Sequence, residues 1–328
     1  MLYIEKINVK NFTVFENLET DFCKGINILI GENGTGKTHL MKMLYAPLSH
    51  KNFRSSMVFW EDIFTHNTEV QTVPYYFRRN QNEQFSIKIL FDGDEPYINI
   101  DGNFAGKFYD VSTAFIPATE MLSHSKGLLA LEYERRIPFD RTLIDIIAKA
   151  ELGESKIVSD FNKNILNTLS DVIDGKVIYE NDTFFILKKN GLKVEFSMEA
   201  EGVRRIGLLW KLIRNGVINK ESILFWDEPE ANINPQLIPQ IVKILIELQR
   251  NGVQIFLATH DYNLAKYFEV LSNDKDEVTY YSLYKTENGV KCKSAQVYRE
   301  IYNNAIEDAN IRLYNAILDK AAEVVENE

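Results

Sequence analysis

Apolar and polar residues alternate along this chain with two different periods, and the change of period marks its parts. The opening segment sets Tyr3, Glu5, Ile7 and Val9 against Leu2, Ile4, Lys6 and Asn8, which predicts a strand of mixed burial. Asn11 to Phe15 leads to a second strand near Leu18 to Phe22, and Lys24-Gly25 is a turn. Ile26 to Ile30 is short, apolar and rich in β-branched residues, as a buried strand should be. A loop from Gly31 to Gly36 follows, then a helix from Lys37 to Ala46 that Pro47 ends.

The middle of the chain is irregular and then helical. Phe85 to Phe91, Pro96 to Ile100 and Phe104 to Tyr109 read as short strands, with Gly93-Asp94 and Asp101-Gly102 as turn signals. Ser112 to Ile116 is an apolar strand stopped by Pro117. Residues 120 to 174 are mostly helical, with breaks at Pro138 and near Gly153. Lys176 to Tyr179, Phe184 to Lys188 and Lys193 to Phe196 return to strand around an Asn190-Gly191 turn. From Glu199 a helix runs to Arg214. Strands Ser222 to Trp226 and Val253 to Ala258 then alternate with helices Pro235 to Arg250 and Asn263 to Leu271. Val278 to Leu283 and Val290 to Val297 are the last strands, and Tyr298 to Glu326 is a helical tail. Such βαβα order implies a parallel sheet with helices on its faces.

Composition narrows the function classes. The 328 residues are enough for one large domain or two ordinary ones. Lys and Arg number 37 against 47 Asp and Glu, a net charge of −10, which argues against a broad basic surface for wrapping DNA. Local basic spots remain at Arg78-Arg79, Arg135-Arg136 and Arg204-Arg205, each read as a solvated pair. The two cysteines, Cys23 and Cys292, fit no zinc or redox spacing and read as free thiols. No signal peptide or membrane-length apolar run is visible, so a cytoplasmic location is expected.

Chemistry concentrates at three places. Gly31-Glu32-Asn33-Gly34-Thr35-Gly36-Lys37-Thr38 fits G-x-x-x-x-G-K-T/S between an apolar strand and a helix. Its glycines let successive backbone N–H groups face a triphosphate, the helix adds its positive end, Lys37 reaches the β and γ phosphates, and the Thr38 hydroxyl binds Mg²⁺. Ile223 to Trp226 ends in Asp227-Glu228-Pro229-Glu230. Asp227 suits a magnesium ion or its water shell, and Glu228 the orientation and deprotonation of an attacking water. The next strand ends in Thr259-His260-Asp261, where His260 could meet the γ-phosphate or that water.

In this order the motifs resemble the ATPase heads of the ABC superclass, nearest the SMC/RecF/OLD-like branch often called "AAA family ATPase". Ile7 through Asn11-Phe12 to Phe15 is similar to that branch's opening strand, and Phe115-Ile116-Pro117-Ala118 to its strand before the Q-loop. Asp227 to Glu230 with Asn232-Ile233-Asn234-Pro235 resembles its Walker B and D-loop, with Asn234 in place of the usual histidine. The resemblance implies a P-loop NTPase fold of ABC type in the α/β class: a mixed or parallel sheet flanked by helices, an N-terminal antiparallel β subdomain, and a mixed β/helical insertion. It divides the chain into an N-terminal core lobe (1–49), an insertion (50–196), a C-terminal core lobe (197–300) and a helical tail (301–328). It implies a signature-like helix start at Ala200, Glu201, Gly202 and Arg204 that reaches the ATP of an opposite subunit, although Ala200 stands where a serine is usual. Glu120 takes the place of a Q-loop glutamine and is a further candidate for the metal.

The function implied is Mg-dependent ATP binding and hydrolysis by a homodimeric or higher-order switch, acting with a separate effector protein in bacterial anti-phage defence. A RecF-like DNA repair or recombination ATPase, which would take nucleic acid as a partner, is the alternative. A transporter subunit would need an intact signature and a shorter insert. A small-molecule kinase would need an acceptor pocket and an arginine-bearing lid.

Overall fold

Ile26 to Ile30 forms the strand about which the other elements are arranged, in a computed structural model that describes residues 2–49, 63, 80, 82–92, 98–100, 104–106, 110–135 and 139–326. In chain order the strands are β1 (Ile4–Phe12), β2 (Phe15–Asp21), β3 (Ile26–Ile30), β4 (Ser86–Phe91), β5 (Ile98–Ile100), β6 (Phe104–Gly106) and β7 (Thr113–Ile116). Then come β8 (Gly175–Glu180), β9 (Thr183–Lys188), β10 (Lys193–Glu195), β11 (Ile223–Asp227), β12 (Gln254–Thr259), β13 (Val278–Thr286) and β14 (Gly289–Ala295). The helices are α1 (Lys37–Tyr45), α2 (Leu128–Arg135), α3 (Arg141–Glu151), α4 (Asp160–Val172), α5 (Glu201–Arg214), α6 (Ile238–Arg250), α7 (Tyr262–Leu271) and α8 (Ala305–Glu326).

Among the described residues the central sheet has the order β14-β13-β3-β12-β11-β7. Its four pairings from β13 to β7 are parallel, and β14 adds on antiparallel. A parallel sheet is covered on both faces, so its strands carry apolar side chains in both directions. Ile26, Ile28 and Ile30 enter one core with Leu224, Trp226, Ile255 and Leu257. Leu29 enters the other with Ile223, Phe225, Phe256 and Ala258. The first core is closed by α3 to α7 and the second by α1 and the sheet β2-β1-β4-β5-β6. Phe256 joins the layers, stacked on Phe225 and edge-on to Phe22, each at 5.0 Å between ring centres.

Several expectations are corrected. The first hairpin runs later than the alternation implied: β1 continues to Phe12 and turns tightly back at Phe15, with Thr13 at φ 52°. Phe12 and Phe15 pair across that turn, so burial extends the strand beyond its clean alternation. Described strands within residues 50–196 join the sheets of the core. β4 pairs with β1 through Ile89 and Ile87, and β7 supplies the edge of the central sheet beside β11. The tail is two pieces, a 3₁₀ turn at Tyr298–Glu300 and α8. The turns at Gly93-Asp94 and Asp101-Gly102, the basic pair Arg78-Arg79, and Arg136 of the pair Arg135-Arg136 lie outside the described residues. So do the outer portions of the strands expected at Pro96 to Ile100 and Phe104 to Tyr109. Cys23 and Cys292 are free. Among the described residues no helix is long and apolar enough to cross a membrane.

One buried polar side chain ties the two sheets together. Gln254, fully buried at the start of β12, accepts from the Ile4 N–H at 2.8 Å. Its amide donates to the carbonyls of Ile4 and Cys23, both at 2.8 Å. Replacing it leaves three buried backbone groups without partners, and each such group costs on the order of 1 kcal/mol or more. We therefore expect Gln254→Leu to lower the unfolding free energy by about 3 kcal/mol in chemical denaturation. A loss below about 1 kcal/mol would remove Gln254 as the link between the sheets.

Candidate functional site

The phosphate loop connects β3 to α1, and its shape follows from what surrounds it. Gly36 precedes α1 at φ 84°, a backbone region that side chains resist. A Cβ there would stand 2.6 Å from Val14 Cγ2 and 2.8 Å from Phe15 Cζ, so the β1–β2 turn also demands glycine. Thr35 Oγ1 donates to the Glu32 carbonyl at 2.9 Å and braces the curl. Lys37 Nζ donates to the carbonyls of Gly31 at 2.7 Å and Glu32 at 3.1 Å. Lys285, from β13, donates to the next carbonyl, that of Asn33, at 3.1 Å. Two ammonium groups thus hold three successive loop carbonyls.

The acids arrive from β11. Asp227 ends the strand, and its Oδ2 accepts from Thr38 Oγ1 at 2.8 Å, across 189 residues of sequence. Glu228 takes a left-handed conformation, φ 47°, which is strained for a residue with a Cβ. That turn sets the Glu228 carboxylate 3.3 Å from His260 Nδ1. Glu230, to which the sequence assigned no role of its own, accepts from Thr259 Oγ1 at 2.7 Å and from the His260 N–H at 3.4 Å. It fastens the acidic loop to the histidine loop. Asp261 caps α7 by accepting from the Leu264 N–H at 2.6 Å, so the helix start fixes His260 in turn.

The proposed signature residues meet this loop from behind. Ala200 precedes α5 and makes no side-chain cap, while Glu201 lies in its first turn. A Cβ on Gly202 would fall 2.8 Å from the Asn232 carbonyl and 3.1 Å from Ile233 Cα, so the glycine permits close contact with the D-loop. Arg204-Arg205 is not a solvated pair. Arg205 is 1% exposed and donates to the carbonyls of Ala118, Asp227 (3.2 Å) and Glu228 (2.7 Å). Arg204 pairs with Glu120 at 3.3 Å. Glu120 Oε1 also accepts from the Leu122 and Ser123 N–H groups, and its Oε2 from the Ser123 hydroxyl. Both oxygens are therefore engaged in a turn cap and an ion pair.

A cavity of about 230 Å³ opens at the centre, lined by Val14, Asn33, Gly34, Gly36, Lys37, Thr38, His39, Asp227 and Glu228. Val14, His39, Lys285, Arg205 and Glu230 escaped sequence reasoning. Their motif neighbours identified the site, but the hydrogen bonds of Arg205, Glu230 and Lys285 cross 22 to 252 residues of chain.

A protein-family model matches residues 75–266. Its description reads "AAA domain, putative AbiEii toxin, Type IV TA system". The chain belongs to this family. The matched range holds Asp227, Glu228 and His260, while the phosphate loop precedes it. Among curated proteins, the DNA replication and repair protein RecF of Cytophaga hutchinsonii is 29% identical over 177 residues, 54% of this chain and 46% of that protein. RecF of Clostridium botulinum strain Eklund 17B is 26% identical over 248 residues, 68% of this chain and 61% of its own length. The chain spans about half to three fifths of these relatives. Among solved structures, the Smc head domain of Pyrococcus furiosus, bound to the C-terminal domain of ScpA, aligns with 100% of this chain and 99% of its own at TM-score 0.55 and 12% identity. An Smc head bound to the C-winged helix domain of ScpA aligns with 90% and 98% at TM-score 0.58 and 13% identity. These likenesses establish the fold: a P-loop NTPase with an ABC-type head.

For this AAA-domain protein the donor set suits magnesium. The Thr38 hydroxyl and the Asp227 carboxylate are hard oxygens, and no group of three or more His, Cys, Asp or Glu among the described residues forms a protein-only cage. Magnesium commonly takes one or two protein oxygens and leaves the rest to phosphate and water. The charges match this use. Burial raises the Asp227 pKa above its ordinary 3.8, against the opposing Thr38 hydrogen bond. Burial also lowers the Lys37 pKa, while the carboxylates of Asp227, Glu228 and Glu230 act the other way. Burial likewise raises Glu230.

A carboxylate with a raised folded-state pKa gives its stabilising contribution below its unfolded value and loses it as pH rises through the folded one. At neutral pH the Asp227 charge therefore costs stability in the nucleotide-free protein. We expect Asp227→Asn to raise the melting temperature by roughly 2 °C at pH 7. The gain should vanish toward pH 4, and added Mg-ATP should give little further rise. Thermal melts over a pH series check this. A variant less stable than wild type at pH 7 would overturn the assignment of Asp227 as an uncompensated charge.

Proposed function

We propose that this chain binds Mg-ATP at the phosphate loop and hydrolyses it. The observation that carries this is the Thr38–Asp227 hydrogen bond, which brings the loop hydroxyl and the strand-end acid together at the mouth of the cavity. Gly31 to Thr38 take the phosphates through backbone N–H groups and Lys37. Thr38 and Asp227 hold Mg²⁺, which neutralises charge on the β and γ phosphates. Glu228, paired with His260, orients water and accepts its proton, and His260 steadies that carboxylate near the γ-phosphate. Nucleotide closes two copies around the site, with Ala200, Glu201, Gly202 and Arg204 of each on the ATP of the other. The left-handed turn at Glu228 supports this reading, because strain of that kind is usually kept where chemistry requires it.

The output we infer is a switch in bacterial defence that works through a separate effector. Support comes from the family description, which names a toxin–antitoxin system. A second reading, a DNA repair ATPase, is favoured by the RecF relatives. It requires a basic groove, and the net charge is −10 while Arg204 and Arg205 are engaged internally. DNA binding that strengthens with ATP and falls steeply with salt would select the repair reading.

Lys37→Ala should weaken ATP binding roughly 100-fold or more by calorimetry, because it removes the cation that faces the phosphates. Glu228→Gln should keep ATP affinity within about threefold, cut turnover by roughly 100-fold or more, and bring the site of one copy against the α5 start of another only with ATP, read as an ATP-dependent cross-link between copies through cysteines placed at Asn33 and Glu201. A Glu228→Gln protein that hydrolyses ATP at the wild-type rate would refute the role of Glu228. One that gives no ATP-dependent cross-link would refute the closure.

A further inference from the structure

Six of the twelve large apolar side chains that stand exposed among the described residues lie between Tyr302 and Leu318. Five of them belong to α8. Ile311 is 51% exposed, Leu313 62%, Tyr314 62%, Ile317 57% and Leu318 49%. Every residue from 308 to 322 is exposed, so the helix leaves the body after its first turn. That turn is anchored. Ile306 is buried, Asn304 caps the helix by accepting from the Glu307 N–H at 3.3 Å, and Tyr302 packs on Tyr284 with ring centres 4.9 Å apart.

The exposed residues are ordered around the helix. At 100° per residue, Leu313, Ile317, Ala321, Tyr314, Leu318 and Ile311 fall within an arc of about 160°. Ile311, Tyr314, Leu318 and Ala321 repeat at the three- and four-residue spacing of a coiled-coil seam. Between Ile311 and Ala322 the charged residues, Arg312, Asp319 and Lys320, all fall on the other side. A 22-residue helix is roughly 33 Å long, far beyond what solvent-exposed apolar residues would hold in place alone.

We propose that α8 is a homotypic interface, pairing with α8 of a second copy of this chain without nucleotide. The apolar arc is uncharged, so it gives no purchase to nucleic acid. The polar side carries Asp308 and Asp319 as well as Arg312 and Lys320, so it lacks the basic excess of a helix that lies on an anionic membrane. A matching partner must present a neutral apolar strip of similar length. The other exposed large apolar residues, Leu131, Leu152, Ile157, Leu192, Met198 and Val270, are scattered over separate elements. Another α8 is thus the one such strip among the described residues. The five large side chains expose on the order of 500 Å² per copy, so pairing buries up to about 1,000 Å², at the lower bound for a specific interface and in the range of a weak, reversible one. Pairing two copies of one surface also satisfies two-fold symmetry.

The test is the molar mass of the full chain by light scattering without nucleotide, at low micromolar concentration. A dimer is expected. Tyr314→Lys with Leu318→Lys should weaken it about 100-fold, leaving a monomer that still binds Mg-ATP, which shows that the body is folded. Lys37→Ala should leave this dimer intact, so its failure and that of the nucleotide reading are separable. A monomeric wild type, or a dimer untouched by the double substitution, would overturn the proposal. So would a wild-type monomer that recruits a different protein through α8.

Discussion

A hydroxyl from the phosphate loop meets a buried carboxylate from a strand two places away in the sheet, and this contact between Thr38 and Asp227 organises the site. It exists because both faces of a parallel sheet are covered, so polar chemistry is confined to the strand ends. β3, β12 and β11 lie side by side, and each ends on a different functional group: the loop before Lys37, the Thr259-His260 turn, and Asp227-Glu228. Burial makes the Asp227 charge and the Lys37 charge both unfavourable alone. A phosphate–magnesium pair would supply the opposite charge to each. The energy lost in holding these groups dry would thereby be turned into affinity for that ligand.

Arg205 shows how the surrounding fold maintains that arrangement. Its guanidinium spans the carbonyls of Asp227, Glu228 and Ala118, and so holds the turn that carries both acids against the loop after β7. Burial lowers its pKa, opposed chiefly by the nearby Glu201 carboxylate. Arg205 and Gly202 are three residues apart on α5, on the side that meets the D-loop. The helix start proposed to face another subunit and the acids proposed to handle metal and water are therefore one rigid unit. A displacement of α5 would carry the Glu228 carbonyl with it.

Much of this was readable in the sequence because the relevant signals are local. The phosphate loop, the apolar run into Asp227 and the strand before His260 each contain their own punctuation, and β3 lies at its expected residues. What could not be read depends on pairing over distance. β7 has the composition of any buried strand, and nothing within Thr113 to Ile116 says that it borders β11 rather than an appended unit. Arg205 has the same type and spacing as an exposed basic residue. Only the carbonyls converging on it from residues 118, 227 and 228 give it a buried role. Glu120 was assigned by position alone, and its local turn and Arg204 consume both of its oxygens.

β13 connects the nucleotide site with the base of α8. Lys285 reaches the Asn33 carbonyl and lies 3.8 Å from Glu32, at the rim of the phosphate loop. Its neighbour Tyr284 supports Tyr302, and Ser282 donates to the Asn303 carbonyl at 3.5 Å, both at the start of the exposed helix. Alternate residues of a strand face opposite sides, so one short segment touches both places at once. Contact of this kind becomes coupling only where an element has two arrangements that each site favours differently. Lys285 is the point on β13 at which a ligand of the phosphate loop would act. It is half-exposed, it holds a loop carbonyl through one hydrogen bond, and a triphosphate beside the loop would compete for its charge. A shift of its backbone would reach Tyr284 first, and through Tyr302 the base of α8.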